Sequence, residues 1–507
     1  MGRSFVRLLV LISPALFAIC ALAQTTTPST ESVASRSATG ATPIARPLKQ
    51  LFGMIPISTH SQEALKFAEL SMDKYENGLL DDAVVHARHA TEKDPQFALG
   101  YALLSFASRS GIPDSAALTK AKTLLPHATP DEQLLVRWMT SIQDRDLLPA
   151  IMNMNNLLKR HPKDKHVLYL AAEWLYSQED YDRARTMMES VRELDPNFAP
   201  VLKTLGFAYI ETGDPEPSKA VATLERYAKL QPSAPNPEDS LGEALRRAGD
   251  DQGSLEHYGA ALQIDPIYFS SQVGLADTLT LMGDFDSARR EYDRAIQVAD
   301  NPRDELHAKY QKSLVYFWQG QPEEGRQALA ALSAEAASKK APYAQFEIGL
   351  GRAMLASGYQ DELQQLQDLS TLFEKSFSGM NESDRSAARA ALLRERVRMA
   401  ALHGLASDAT NSVRELEQFA ITSRDQIVES AYESARGYLL VSRGDFENAA
   451  DELATDPRSP LALLQLAVTQ EKLGKTDAAG TTRKRLKYQR RANAEWYLVT
   501  HSEGAKG

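Results

Sequence analysis

The side chains best suited to chemistry are Asp82, His86 and His89, which follow one another at helical spacing. On a helix that spacing stacks three groups on one face, and imidazole with carboxylate is a donor set that zinc accepts. The plainer reading makes them solvated surface residues, since no further ligands cluster nearby to complete a coordination shell. His161 and His166 flank Asp164 in a second, weaker grouping. Neighbouring carboxylates such as Glu323 and Glu324 could act as acid and base only in a pocket that drives their pKa values apart. In a chain with 67 acidic residues such pairs arise without purpose. The sequence contains no H-E-x-x-H, no G-x-S-x-G, no phosphate-binding glycine loop and no dinucleotide fingerprint after a strand. We therefore expect no catalytic set, no cofactor and no metal.

The first residues, MGRSFVRLLVLISPALFAICALAQ, set Arg3 and Arg7 before an apolar stretch that closes on Ala21-Leu22-Ala23. A basic start, an apolar centre and a small-x-small end read as a secretory signal peptide spanning 1–23. Pro14 interrupts the stretch, which is also shorter than the roughly 20 residues a membrane-spanning helix needs. Cys20, the only cysteine, could anchor a lipid, but Ile19 before it is bulky for such a site. If Cys20 leaves with the signal, no disulfide, thiol ligand or thiol nucleophile remains. No later segment has about 18 unbroken apolar residues, so no membrane span is expected in the mature chain. Losing the two arginines takes the formal charge from −10 to −12, which disfavours nucleic acid as the main partner. The expectation is an exported protein, periplasmic or secreted.

The elements that must position any functional group are helices. Alanine and leucine dominate, aromatics make up 7%, and β-branched residues form no strictly alternating runs. From Gln24 to about Thr59 the chain is rich in Thr, Ser, Ala and Pro, a composition that buries too little apolar surface to offset its ordering entropy. Residues 24–59 are thus read as a disordered tether. Its apolar stretch Leu51-Phe52-Gly53-Met54-Ile55-Pro56-Ile57 either covers the open end of the first helical unit or docks on a partner.

Beyond the tether, Pro162, Pro196, Pro232 and Pro266 follow one another at a near-even spacing, with Pro95 ahead of them. In the unit ending at Pro266, Leu241 and Gly242 are followed by Gly249 at a turn, then Tyr258 and Ala261. The next unit places Leu275, Ala276, Gly283, Phe285, Ala288, Tyr292 and Ala295 at the same offsets. Leu205, Gly206, Tyr209 and Gly213 begin the unit before, and Leu70, Gly78, Ala83 and Ala90 fit the unit ending at Pro95. Antiparallel helices approach closely only where small residues face each other, glycine permits the positive φ that ends a helix, and proline forbids its continuation.

This pattern resembles the tetratricopeptide-repeat (TPR) family, whose helix-turn-helix units recur at about 34 residues, as these prolines do. The match is specific over Ala64 to Pro95 and His166 to Asn301, and degraded elsewhere. Tyr316 to Gly320, Gly351 with Gly358, Gly437 with Gly444 and Phe446, and Ala467 with Gly474 each still look like a first helix running into its turn. The resemblance implies an all-α, right-handed α-solenoid of roughly 11–12 helix pairs. We expect a well-matched array over 60–302, a degenerate array over 303–492 and a C-terminal cap and tail over 493–507.

In TPR folds the first helices of successive pairs line a concave groove. Carried onto this chain, that rule places Tyr169, Glu173, Tyr176, Lys203, Phe207, Asp239, Glu243, Arg246, Arg247, Asp277, Tyr310, Phe317 and Trp318 in the groove. Several of these, Phe317 and Trp318 above all, could instead pack between repeats. Aromatic and charged side chains together suit a peptide. TPR domains that capture acidic chaperone tails use a clamp of lysine, asparagine and arginine on these helices. Here Glu173, Phe207, Glu243 and Asp277 stand at the corresponding turn, so the resemblance implies a different ligand. The expected function is a non-catalytic scaffold for a protein or peptide. The alternatives are a scaffold for an envelope carbohydrate polymer and, more remotely, an enzyme with an unrecognised site. The basic run Arg483, Lys484, Arg485, Lys487, Arg490 and Arg491 reads as the outer face of a terminal capping helix or a grip on an anionic surface, with Trp496 to Val499 packing back on the last pair.

Overall fold

The structure is a computed structural model in which residues 49–108, 114–377, 380–423 and 425–501 are described. The expected signal peptide, Cys20 and most of the expected tether lie outside the described residues. The described residues contain 25 α-helices, arranged as twelve consecutive antiparallel pairs and one last helix, Ala494–His501. The fold is the all-α TPR-type solenoid.

The repeating prolines build one kind of corner. Each follows the residue that opens a turn, with the main-chain bonds Phe97 to Asp94, Phe198 to Asp195 and Tyr268 to Asp265 all spanning 3.1 Å. Proline presets φ for the second position of such a turn, so the second helix of one pair stops and the first helix of the next departs at a fixed angle. The other corner lies within the pair. Gly249 and Gly283 hold φ of 91° and 84°, and the aspartates that follow cap the second helix. Asp250 accepts from Gly253 N–H and Asp284 from Ser287 N–H. Where the pair interior is tightest there is no side chain at all. A Cβ at Gly242 would stand 2.9 Å from the Tyr258 ring, and one at Gly206 would stand 2.6 Å from Leu224.

The chain divides into two compact units, with the break between Leu170 and Ala171 inside the helix Lys165–Ser177. No break falls near 302, where repeat quality changes. The helix Phe285–Val298 packs on Pro302–Trp318 there as its predecessors do, because helix-pair packing tolerates loss of the consensus residues.

In the first unit, Lys49–Leu51 and Ile55–Ile57 form an antiparallel hairpin with Leu51 opposite Ile55. Phe52 and Gly53, at φ of 50° and 75°, make its left-handed turn. Leu51, Ile55 and Ile57 are buried. Phe52 N–H donates to Glu69 at 2.9 Å, Ser58 N–H donates to Glu132 at 2.6 Å, and the Phe52 ring stacks on His166 at 3.8 Å. The apolar stretch therefore docks within its own unit, on the first helices Gln62–Glu76 and Pro130–Gln143. Residues 49–59 belong to this packed unit, so the tether as read over 24–59 loses its last residues. Composition hid this, since three buried aliphatic side chains outweigh a polar surrounding.

Candidate functional site

In the second unit the helices Ala199–Glu211, Pro235–Ala248, Phe269–Met282, Pro302–Trp318 and Pro342–Met354 are the first members of successive pairs. Each packs on the next as well as on its own partner, whereas second helices meet chiefly the first helices beside them. First helices thus crowd together, and the face they present is the inner one.

On that face Glu173, Tyr176, Lys203, Phe207, Asp239, Glu243 and Trp318 are half-buried, whereas Arg246, Arg247, Asp277, Tyr310 and Phe317 are buried. Tyr169 belongs to the first unit, is buried, and donates from its hydroxyl to the Glu76 carbonyl at 3.2 Å. The expectation that all thirteen line an open groove is corrected for these six. These six are covered by protein. Arg246 pairs with Asp277 at 2.8 Å, and Asp277 also accepts from the Tyr292 hydroxyl at 2.6 Å and from Gln311 at 3.2 Å. Arg247 pairs with Glu211 at 2.7 Å, and both are buried. Burial opposes ionisation of Glu211, but the Arg247 guanidinium outweighs it and holds the carboxyl at about 2.

Over Arg247, Tyr310 and Phe317 part of that cover is the end of the same chain. Arg247 Nε donates to the Tyr488 carbonyl at 2.7 Å, and Gln311 donates to the Ala492 carbonyl at 3.4 Å. Lys484 pairs with Asp214 at 2.7 Å, Arg490 with Asp251 at 2.8 Å, and Arg491 with Glu243 at 3.8 Å. Ala494 is buried among Tyr310, Leu314 and Phe317, and Tyr497 sets its ring 5.8 Å from that of Phe317 and 5.5 Å from that of Trp318. Arg490 and Arg491 therefore turn inward rather than forming an outer capping face, whereas Lys484 pairs at the exposed surface. Trp496 and Val499 do pack on the last pair, against Leu463, Leu464 and Leu486. Tyr497 and Leu498, on the same short helix, pack against the cluster around Tyr310.

The rest of the face is left half open. Lys203 makes no direct ion pair among the described residues. Burial lowers its pKa, and Asp239, Glu173 and Glu243 are the carboxylates in its field. Burial pushes Asp239 up to about 7, helped by Glu243 and opposed by the hydroxyl that Ser271 donates at 2.7 Å. Phe207, one helical turn after Lys203, is also half-buried.

Residues 175–237 match the family model described as Tetratricopeptide repeat. The chain carries tetratricopeptide repeats. Among solved structures the TPR segments resemble MamA at 20% identity and TM-score 0.29, over 34% of this chain and 93% of that one. They also resemble YrrB, titled a TPR protein with an unusual peptide-binding site, at 16% and 0.27 over 35% and 90%. Yeast Tom70 is similar over 83% of this chain and 95% of its own, at 13% and 0.41. With identities and TM-scores this low, these likenesses bear no functional conclusion. No curated protein matches the chain in sequence.

The histidine groupings resolve into packing. His86 and His89 lie against Phe67, with ring centroids 6.1 and 5.1 Å away. His161 meets Asp131 at 2.9 Å and His166 meets Glu76 at 2.8 Å. Glu323 pairs with Arg326. Among the described residues no three His, Cys, Asp or Glu stand together to hold a metal ion, and no helix is long and apolar enough to cross a membrane. Sequence reasoning missed Glu179, which occupies a turn position held by glycine in later repeats, with φ 63°. Its carboxylate is buried against Arg458 at 3.2 Å. The legible signal was a charged residue where the pattern asks for glycine.

Proposed function

We propose that this TPR array is a non-catalytic scaffold, exported to the periplasm or beyond, that holds a protein or peptide segment on the inner face of its first helices in the second unit. The observation that carries the reading is the pair of bonds from Arg247 and Gln311 to the main-chain carbonyls of Tyr488 and Ala492. Side chains that donate to backbone carbonyls recognise a polypeptide by the group every polypeptide offers. Beside that stretch, Glu173, Tyr176, Lys203, Phe207, Asp239 and Glu243 keep partly exposed charged and aromatic surface for a partner's side chains. Of the aromatic side chains assigned to this face, Tyr169, Tyr310 and Phe317 are buried, which leaves Tyr176, Phe207 and Trp318 as the surface a sugar could stack on. Export rests on the layout of residues 1–23.

The test is affinity capture from envelope extract by the full-length protein expressed in its native source, beside the double variant Lys203→Glu, Phe207→Ala. Both positions are half-buried, so the change alters the face more than the core. A protein retained by the first and lost by the second is the expected result, and equal retention would overturn the groove reading. Mass spectrometry of the same preparation should find the mature chain beginning at Gln24, and a retained Met1 would remove the case for export.

A further inference from the structure

We infer that residues 484–501 are the resident ligand of this face, bound in cis. The partner is then a protein segment of the same chemistry, with consecutive basic side chains followed within two helical turns by an aromatic, which displaces it. This rests on the reading of the inner face as a segment-binding surface and adds the occupant's identity.

Four features of the contact support it. It is complementary in charge, since Lys484, Arg490 and Arg491 meet Asp214, Asp251 and Glu243. It is read through the backbone, at Tyr488 and Ala492. It ends in an aromatic anchor, Tyr497, set edge-on to Phe317 and Trp318. It also reaches far back along the chain, because the bonds from Arg247 to Tyr488 and from Gln311 to Ala492 join positions separated by 241 and 181 in the numbering. A cap belonging only to the last pair would need none of these contacts.

The hold is also incomplete, which makes exchange feasible. Arg491 stands 3.8 Å from Glu243, at the long end of an ion pair. Arg485 makes no ion pair among the described residues. Burial lowers the pKa of both guanidiniums, and the neighbouring Arg247 and Arg246 add to this for Arg491. A competing segment that pairs the charge at the place of Arg485 has room to improve on the hold.

The experiment uses the full-length chain and a fluorescein-labelled peptide of residues 484–501. The loosened variant is Arg490→Glu with Tyr497→Ala, which sets a carboxylate against Asp251 and removes the anchor. Its helical content and melting temperature are measured alongside. It should bind the peptide at least tenfold more tightly than the wild type, whose own segment competes, and adding Trp318→Ala should abolish the gain. Equal binding to both chains, or no binding to a folded loosened chain, would overturn the proposal. A loosened chain that ignores the peptide yet sediments as a dimer would assign the face to a second copy and equally overturn it. Hydrogen exchange on the wild type needs no variant. The amides of 488–501 should open ahead of those in Pro302–Trp318, and exchange in step with that helix would count against a displaceable segment. Loss of partner capture by the Lys203→Glu, Phe207→Ala variant, with no peptide binding here, would leave the groove reading intact and remove only this one.

Discussion

At the scale of single residues, the inner face combines groups that are spent on structure with groups held ready. Arg246 and Arg247 stand on the expected face, but Asp277 and Glu211 absorb their charge. Those partners belong to the neighbouring repeats, a separation no local pattern reads. Asp239 is different, because its pKa of about 7 marks a carboxyl that resists ionising where it sits. That value is above the roughly 3.9 of an unfolded aspartate, so the folded state binds the proton more tightly. The stabilisation this gives is fully present below the unfolded pKa and is lost as pH rises through about 7. Asp239→Asn, neutral throughout, should therefore melt higher than the wild type by a margin that grows between about pH 4 and about pH 7. A margin that stays constant over that range would mean the carboxyl is not held neutral by its surroundings.

At the scale of helices, the fold was largely legible because its causes are local. Proline corners, left-handed glycines and aspartate caps each act within a few residues, so the even rhythm of the repeat translated directly into helix pairs. The degraded repeats kept their pairs as well, since alternate packing of apolar faces survives loss of the consensus. Two things were not legible. The hairpin at Lys49–Leu51 and Ile55–Ile57 is held by carboxylates and rings from helices far along the chain, so composition alone made it look like a tether. The residue Glu179 departs from the glycine rule for a contact with Arg458, which enters only near the other end of the sequence. The close approach at Gly242 is the direct check on the register. Gly242→Leu drives a side chain into the Tyr258 ring, 2.9 Å from where its Cβ would stand. Overpacking of this kind costs about 1–3 kcal/mol. Calorimetry should show a lower melting temperature, and an unchanged one would displace the helix-pair register as drawn.

At the scale of the molecule, each compact unit has its own segment laid on first helices. In the first it is the hairpin on Gln62–Glu76 and Pro130–Gln143, and in the second the C-terminal segment on Pro235–Ala248 and Pro302–Trp318. Sequence could name the array but not the segment that lies on these first helices, because a segment supplied by the same chain is visible only once distant repeats are placed side by side. The central claim is that partners bind on the inner face and not on the outer one. A photo-crosslinking residue at Phe207, on a first helix, should trap one discrete protein in the native cell. The same probe at Glu225, exposed on the second helix Pro217–Leu230, should trap none. The same adduct from both positions, or an adduct from Glu225 alone, would contradict the account.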